Sequence, residues 1–309
     1  MKLKMKIAAI LCLGLAFSCT QAIAEVDKLR VVGTWSSLTL FKNFEKPFWT
    51  ETVPQELGIE TTMTSLGQVK LKGPAVVRQM DMGVFDVVHT VADYIVSDSP
   101  DLAVSVVPYP AQVLFSRVEI GGLDDLKGKK IRASGWTTSE FVTALGATGV
   151  TMSFSEVPQA LQRGVVDCAI TGSLSGYSAG WGEVSKYIYP LPVGGWDYTI
   201  GVISMNTWDK LTKEQQDKLQ ALIKDKLETP GWAVTEKETI EGVACLTGKE
   251  CPHGDPQNLI EVPITDDARQ KVQQVLVDSV LPALAEKVDP ETISTWNDTI
   301  GKVVGIQSK

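Results

Sequence analysis

Arg132 is the residue whose type and position most clearly indicate chemistry, because it lies near the end of the predicted strand Lys130–Ala133. Its guanidinium offers a planar fork of N–H donors that matches a carboxylate. Helices and strands alternate around it as in a βαβ sheet, which binds ligands at the carboxyl ends of its strands. Ile131 and Ala133 would face a core together, which puts Arg132 on the opposite face. We therefore expect Arg132 at a binding edge, although Lys129–Arg132 could also be a solvated basic edge.

Three tryptophans, Trp35, Trp136 and Trp196, fall beyond or near the ends of predicted strands. This is the topological position for contact with a ligand in an α/β sheet. Aromatic walls there would hold an apolar part of a solute and exclude water from its anionic end. The alternative is ordinary packing between two domains.

Polar residues at two further strand ends are candidate ligand contacts. His89 ends a predicted buried strand and could donate a hydrogen bond to a bound oxygen, but a lone histidine is often purely structural. Thr171 and Ser173 bring hydroxyls and backbone N–H groups to a glycine-rich strand-to-helix turn. Such a turn favours an anionic or carbonyl oxygen at the helix N-terminus.

The sequence argues against an enzyme and indicates no cofactor or metal. It contains only two histidines, His89 and His253, and neither lies in a nucleophile motif. Patterns such as G-x-S-x-G, Walker A and H-E-x-x-H are absent. The carboxylate pair Asp124-Asp125 falls at a predicted helix start, where capping explains it.

Cys245 and Cys251 lie six positions apart in a turn-rich segment, and in an exported protein this spacing favours a local disulfide. Cys168 lies in the apolar run VVDCAI and is expected to be a small buried hydrophobe.

The N-terminal residues 1–24 are expected to be an export signal. Three lysines precede the short apolar run Ile7–Phe17, and Ala22-Ile23-Ala24 fits the small-x-small cleavage rule. Cys19 allows a lipoprotein interpretation, but the residues before it make a poor lipobox. Cleavage before Glu25 removes three lysines and takes the formal charge from −8 to −11. Such an acidic, exported chain is a poor candidate for nucleic-acid binding.

Hydrophobic patterns predict two α/β units followed by a helical tail that returns across both. The first unit contains predicted strands at Leu29–Trp35, Ile59–Leu66 and Phe85–Val91. The second begins near Leu123. A capping box at Thr212 opens a long polar helix, which Pro230 is expected to interrupt.

Several segments together resemble the solute-binding proteins of tripartite ATP-independent periplasmic (TRAP) transporters, of the DctP type. The resemblance rests on LKGKKIR, LGATGVTMSFSEVPQALQRGVVD, EVSKYIY and MNTWDKLTKEQQ, and more loosely on GQVKLKGPAVVRQMDMGVFDVV. It implies two α/β domains of the periplasmic-binding-protein type, with a long helix crossing both. The expected division is domain I at 25–109 plus 204–248 and domain II at 110–203 plus 249–309.

The resemblance also implies a function. Such proteins close around a small organic acid, whose carboxylate is clamped by the arginine of the KIR motif, here Arg132, and deliver it to a membrane permease. The family often has asparagine at the position of Thr171, and many members have a second arginine where Gln112 aligns. These departures weaken the case for a dicarboxylate or a sialic-acid-like solute, and the tryptophans favour a monoacid with an apolar or planar portion. We expect Gln112, Thr171 and His89 to complete the polar shell of a monomeric periplasmic receptor.

Two questions stay open at the level of sequence. Family members usually carry additional helical sequence between Ala92 and Pro108, so either domain closure is altered or the chain is a shortened, less stable variant. The alternative functions are a periplasmic enzyme that acts on the same kind of acid and a sensing subunit of a membrane receptor that detects it. The identity of the solute does not follow from the sequence.

Overall fold

The computed structural model describes residues 26–71, 75–95 and 103–308. The predicted export signal, 1–24, lies outside them, as do residues 96–102 of the segment between Ala92 and Pro108 for which a shortening was predicted. No helix in the described ranges is long and apolar enough to cross a membrane.

The described chain folds around two β-sheets. The first has the strand order β2-β1-β3-β10-β4, and the second has the order β11-β9-β5-β8-β6-β7. The strands are β1 (Lys28–Gly33), β2 (Glu60–Ser65), β3 (Val87–Val91), β4 (Ala103–Tyr109), β5 (Gln112–Ser116), β6 (Lys130–Ala133), β7 (Thr148–Thr151), β8 (Cys168–Gly172), β9 (Tyr187–Tyr189), β10 (Asp197–Ile203) and β11 (Ile260–Glu261).

Each sheet has a parallel core to which antiparallel strands are added. Strand β1 pairs in parallel with β2 and β3, whereas β10 runs antiparallel to β3 and β4. In the second sheet β6 is parallel to β7 and β8, and β5 is antiparallel to β8 and β9. Strands β3, β5 and β8 are buried along their whole length, as expected where helices cover both faces.

The fold class predicted from the sequence is confirmed, and one boundary of the domain division differs from the observed pairing. The division assigned 197–203 to domain II, but β10 hydrogen-bonds only to strands of the first sheet. The chain therefore returns to the first sheet before Asp197 and not after Ile203. The rest of the division stays a prediction.

The helices connect and cover these sheets. The α-helices are α1 (Val53–Leu57), α2 (Leu66–Val69), α3 (Ala75–Asp81), α4 (Ala92–Ile95), α5 (Trp136–Ala144), α6 (Val157–Arg163), α7 (Ser173–Ser178), α8 (Met205–Trp208), α9 (Lys213–Ile223), α10 (Thr229–Leu246), α11 (Asp266–Val275), α12 (Leu281–Ala285), α13 (Pro290–Asp298) and α14 (Ile300–Val304). Short π-helical segments are Leu40–Glu45, Phe48–Thr52, Lys224–Glu228 and Leu276–Val280, and 3₁₀ turns are Leu123–Leu126, Phe154–Glu156 and Gly182–Val184.

Helix α9 begins at the predicted capping box and continues into α10 without a break. Thr212 Oγ1 accepts a hydrogen bond from Gln215 N at 3.1 Å, and Gln215 Oε1 accepts one from Thr212 N at 2.9 Å. The π-helical segment Lys224–Glu228 joins the two helices. The prediction that Pro230 interrupts the helix is therefore wrong. A proline removes a backbone N–H and clashes with the preceding turn, and the wider π turn accommodates both effects.

The same arrangement occurs before two other helical prolines. Pro54 follows the π-helical segment Phe48–Thr52, and Pro282 follows Leu276–Val280. In each case the proline lies two residues after the π segment. Each helix therefore continues past its proline. A proline that indicates a helix break in the sequence marks a wider, π-helical turn in the structure.

Helix α10 contacts both halves of the molecule, as the predicted crossing helix should. Near its start, Trp232 Nε1 donates to the Val106 carbonyl at 2.9 Å. Further along, Ser173 Oγ donates to the Thr239 carbonyl at 2.7 Å. Gly242 completes the second contact, because a Cβ there would collide with the backbone of Leu174.

The predicted disulfide between Cys245 and Cys251 is present and closes the C-terminal end of α10. Cys168 is a buried free thiol in β8, as expected. Burial raises its pKa to about 11, so it carries no charge at neutral pH.

We predict that Gly242→Ala lowers the free energy of unfolding by about 1–3 kcal/mol, because the added methyl overpacks the contact between α10 and the start of α7. Alanine otherwise favours a helix over glycine by about 1 kcal/mol, so the intrinsic preference acts in the opposite direction. Denaturant unfolding measures the difference. The matched control is Ile240→Ala on the exposed side of the same helix, where a change within about 0.5 kcal/mol is expected. A stabilised Gly242→Ala variant would contradict the close approach.

Candidate functional site

A small cavity that is partly open to solvent lies between the two sheets at the carboxyl ends of their parallel strands. We call it the interdomain cavity. Its aromatic lining is Trp35, Tyr94, Tyr109 and Phe154, with Val91 beside them. Its polar lining is Gln112, Arg132, Ser134, Thr171 and Asp197.

Strand geometry explains how these residues meet. Val91 ends β3, Arg132 and Thr171 lie near the ends of β6 and β8, and Gln112 begins the antiparallel strand β5. Because β5 runs against β8, Gln112 pairs with Gly172 and its start meets the end of β8. Both the ends of the parallel strands and the start of the antiparallel strand β5 thus place polar groups at this edge of the sheet. This agrees with the binding edge predicted from the sequence.

Arg132 is 2% exposed, and neutral acceptors hold its guanidinium. Nε donates to the Met152 carbonyl at 3.1 Å, Nη1 to the Ile170 carbonyl at 2.8 Å, and Nη2 to the Tyr94 hydroxyl at 3.1 Å. Its central carbon lies 5.5 Å from the centre of the Trp181 ring. Among the described residues no carboxylate forms an ion pair with it, so this buried charge lacks an anionic partner from the protein.

Tyr94 connects the two halves of the cavity. It lies in α4, which follows the first-sheet strand β3, and its hydroxyl accepts bonds from Arg132 Nη2 and from Phe154 N at 3.2 Å. Both donors belong to the segment that forms the second sheet. The cavity is therefore held by a polar contact across the junction as well as by aromatic packing. Trp35 packs against Tyr94 and Phe154, with ring centres 5.9 and 4.9 Å away.

Tyr109 closes the base of the cavity at the end of β4. Burial raises its pKa to about 12, against the effect of hydrogen bonds with Ser175 and Thr171. The phenol is therefore uncharged at physiological pH. It can contribute hydrogen bonds to the site but no negative charge. Gln112 is fixed nearby, because its Nε2 donates to the Pro110 carbonyl at 2.9 Å.

The structure thus brings Arg132, Gln112, Thr171 and Trp35 together in one cavity. It places the other four predicted contacts elsewhere. Trp136 is half-buried under the Lys287 ammonium, 4.8 Å from its ring centre, and Trp196 is 50% exposed. Ser173 is buried against α10 through its bond to Thr239. Chain position near a strand end did not reveal which way these side chains point.

His89 is the fourth residue that lies away from the cavity. It precedes Val91 by two residues on the same face of β3, which puts it roughly 7 Å deeper in the sheet. There its Nε2 accepts from Trp49 Nε1 at 2.7 Å, and its Nδ1 lies 3.5 Å from Glu45 Oε1. Since Nε2 is an acceptor, the neutral ring carries its proton on Nδ1 and directs it at Glu45.

Six lining residues were not identified from the sequence: Val91, Tyr94, Tyr109, Ser134, Phe154 and Asp197. Only Tyr109 carried a signal, since it lies in the turn Pro108-Tyr109-Pro110 between two predicted strands. Asp197 directly follows Trp196, one of the candidate tryptophans. In the described ranges no group of three or more His, Cys, Asp or Glu residues could hold a metal ion.

Comparisons with known proteins agree with this architecture. The family model for bacterial extracellular solute-binding proteins, family 7 (DctP), matches residues 111–243. An uncharacterized protein of Salmonella typhimurium, YiiZ, is 36% identical over 115 residues, which are 37% of this chain and 35% of YiiZ. A solute-binding protein of Albidiferax ferrireducens is 31% identical over 101 residues, 32% of this chain and 30% of the relative. The matched part thus spans about a third of the length of these relatives.

Solved structures extend the likeness to most of the chain. A TRAP periplasmic solute-binding protein from Desulfovibrio salexigens with bound orotic acid superposes with a TM-score of 0.75 at 16% identity, covering 88% of this chain and 98% of that one. The extracytoplasmic solute receptor DctP7 of Bordetella pertussis, which binds pyroglutamic acid, gives 0.68 at 19% identity and covers 88% and 95%.

The described chain shares its fold with these solved TRAP periplasmic solute-binding proteins. The resemblance to DctP-type proteins that the sequence indicates is confirmed by the family match over residues 111–243.

We predict that Tyr94→Phe lowers the free energy of unfolding by about 1–3 kcal/mol, because it leaves the buried donors Arg132 Nη2 and Phe154 N without this acceptor. Denaturant unfolding measures the loss. Tyr198→Phe, at a tyrosine that is 42% exposed, is the control and should change stability by less than about 0.5 kcal/mol. Equal effects of the two substitutions would contradict the bridging role.

A second prediction concerns the buried pair behind the cavity. Burial raises the pKa of Glu45 from 4.5 to about 7, against hydrogen bonds from Thr34, and burial lowers the pKa of His89 from 6.5 to about 3. Between pH 4.5 and 6.5 folding therefore moves one proton from histidine to glutamate, and the two effects on stability cancel. Glu45→Gln leaves only His89, whose depressed pKa makes stability rise with pH between about 3 and 6.5.

Between pH 4.5 and pH 6.5, the free energy of unfolding of Glu45→Gln should rise by about 2–3 kcal/mol more than that of the wild type. His89→Gln should show the opposite sign, with stability falling as pH rises from 4.5 to about 7. Denaturant unfolding of both variants at these pH values is the measurement. Parallel pH profiles for the two variants would refute the exchange of a proton on folding.

Proposed function

We propose that this protein is the periplasmic solute-binding subunit of a TRAP transporter, which captures a small organic acid and delivers it to a membrane permease. The observation that carries the proposal is the buried guanidinium of Arg132, which lines a cavity and has no carboxylate partner in the described part of the chain. The family match and the two-domain fold support it.

Arg132 acts as the carboxylate clamp. A guanidinium has five N–H groups, and the contacts with Met152, Ile170 and Tyr94 occupy three of them. The remaining N–H groups belong to Nη1 and Nη2, one on each, which suits a carboxylate with two oxygens. Gln112 and Thr171 supply the neighbouring polar contacts, and Trp35 covers the apolar part of the solute.

Binding and domain closure act together in this proposal. The Tyr94 hydroxyl reaches across the cavity to Arg132 and Phe154, so the observed arrangement joins both halves. A ligand that contacts both halves shifts the population toward this closed form. The permease then recognises a surface that is continuous only when the domains are closed.

Capture, rather than catalysis, is supported by the chemistry of the lining. The described lining residues include no histidine, cysteine or lysine, and Tyr109 is neutral. An export signal at 1–24 would deliver the protein to the periplasm, where we expect it to work as a monomer. Solved relatives are described with bound orotic acid, pyroglutamic acid, malonate and succinate, which define a first panel of ligands.

We predict that Arg132→Gln weakens binding of the cognate acid by about 2–5 kcal/mol, because it removes the charged partner of a buried carboxylate. A thermal-shift screen of organic acids identifies ligands, since binding raises the unfolding temperature by mass action. Titration calorimetry of wild type and variant then gives the loss.

The matched control is Arg117→Gln, which removes a partly exposed arginine paired with Asp167 on the same sheet. Its affinity for the acid should equal that of the wild type. Mass spectrometry of the incubated ligand provides a second control, since an unchanged mass is expected. Undiminished affinity of Arg132→Gln would refute the clamp, and conversion of the ligand would favour an enzyme.

A further inference from the structure

The cation of Arg132 must be stabilised before any acid reaches the cavity. Arg132 is 2% exposed, and its hydrogen bonds go to two backbone carbonyls and the Tyr94 hydroxyl. A guanidinium keeps its proton in a protein, so burial does not remove the charge. A buried charge without an ionic partner is costly, and hydrogen bonds to polar groups offset only part of that cost. The proposed function assigns Arg132 a partner in the complex and none in the free protein.

Trp181 presents an aromatic face to this cation. The central carbon of Arg132 lies over the Trp181 ring, 5.5 Å from the ring centre. The face of an aromatic ring carries negative charge density, and the indole of tryptophan attracts a cation more strongly than the other rings. Trp181 is 0% exposed, so almost no solvent screens the attraction. A second contact of this kind, between Lys287 and Trp136, lies at the surface, where it contributes less.

The packing around Trp181 fixes the position of its ring. Phe115 meets the ring edge to face with the ring centres 5.7 Å apart, and Phe154 lies tilted against it at 5.1 Å. The Trp181 backbone N–H donates to the Gly176 carbonyl at 2.9 Å. The ring is thus held on two sides and through its backbone, and it keeps its face toward Arg132 without help from a ligand.

The indole N–H of Trp181 indicates that the ring does more than fill space. Nε1 is buried and has no hydrogen-bond partner in the described structure. An unsatisfied buried donor lowers stability, whereas a phenylalanine would fill much of the same space without that donor. Trp49 is also 0% exposed, but its Nε1 donates to His89 at 2.7 Å, and no lysine or arginine of the described chain lies over its ring. The attraction to Arg132 gives a physical reason for a tryptophan at position 181.

We infer that Trp181 is the counter-group of the empty clamp: its ring face stabilises the Arg132 cation until an acid binds. Trp181 is a positioning residue, because it acts on the ligand only through Arg132. A neutral ring serves this purpose better than a carboxylate of the protein would, since a carboxylate would compete with the acid for the same N–H groups. The inference concerns the free protein and goes beyond the proposed function.

Fluorinated tryptophans at position 181 test this inference. Fluorine atoms on the benzene ring of the indole withdraw electron density from its face and change its shape little. One, two or three of them, introduced at this position alone in the mature chain, should lower the equilibrium ratio of folded to unfolded protein stepwise. The expected loss with three is about tenfold, because the cation–π attraction is weakened. Denaturant unfolding of the ligand-free protein measures it.

Two controls separate this attraction from packing. In the variant Arg132→Gln the same changes at position 181 should alter the ratio by less than about twofold, because no cation lies over the ring. At Trp49, the fully buried ring without a cation, fluorination should cause no stepwise loss and should act equally in the wild type and in Arg132→Gln. If Arg132→Gln does not fold, the comparison of positions 181 and 49 in the wild type decides.

The affinity for an acid gives a readout that packing alone would not move in this direction. A bound carboxylate takes over the compensation of the Arg132 charge, so a weakened ring face destabilises the complex less than the free protein. The trifluorinated protein should therefore bind the acid at least about twofold more tightly than the wild type. Titration calorimetry measures this with each of orotate, pyroglutamate, malonate and succinate that binds the wild type.

Any of three outcomes overturns the inference and leaves the proposed function intact. They are equal losses of stability at positions 181 and 49, a loss at position 181 that persists in Arg132→Gln, and unchanged or weaker binding by the trifluorinated protein. If none of the four acids binds the wild type, the unfolding series alone decides the inference, and the wider screen of organic acids tests the proposed function separately.

Discussion

A guanidinium that is buried without a carboxylate partner in the described chain is the constraint on which the site depends. Arg132 is held by two backbone carbonyls and a phenol, which satisfy part of its hydrogen-bonding capacity without cancelling its charge. A buried cation in this state attracts an anion more strongly than a surface arginine could, because little solvent screens it. The three hydrogen bonds also hold the guanidinium in one orientation, so binding of an anion there would cost little side-chain entropy.

The elements around the cavity keep that orientation and couple it to the rest of the fold. Tyr94 contacts Arg132 and Phe154 from the opposite half, while α10 contacts β4 near Val106 and α7 near Ser173. The long helix is continuous because a π turn precedes Pro230. One continuous helical element therefore contacts both halves of the molecule, and Tyr94 joins the same halves at the cavity.

The buried pair of Glu45 and His89 illustrates how position within a strand determines the role of a histidine. From the chain alone His89 was a candidate ligand contact, because it lies near the end of an apolar strand. The structure places it two residues short of the edge, where Trp49 and Glu45 surround it. Burial favours the uncharged form of both partners, so this pair acts on the pH dependence of stability instead of on binding.

Local sequence determined the alternation of strands and helices, the capping box at Thr212, the disulfide and the placement of Arg132 near the end of its strand. These features depend on periodicity, on caps and on spacing within one segment, all of which a single sequence records. The family resemblance added the two-domain fold and the long helix. The same local rules also suggested a break at Pro230, which the helix avoids by widening.

Tertiary structure alone decided which strand ends face the cavity. It showed that β10 returns to the first sheet, and this return brings Asp197 to the same cavity as Arg132, which is distant in the chain. It also placed Trp136 and Trp196 outside the cavity, although their positions near strand ends matched that of Trp35. The physical reason is that periodicity fixes the face of an element on which a side chain lies, whereas the packing of distant elements decides what that face meets.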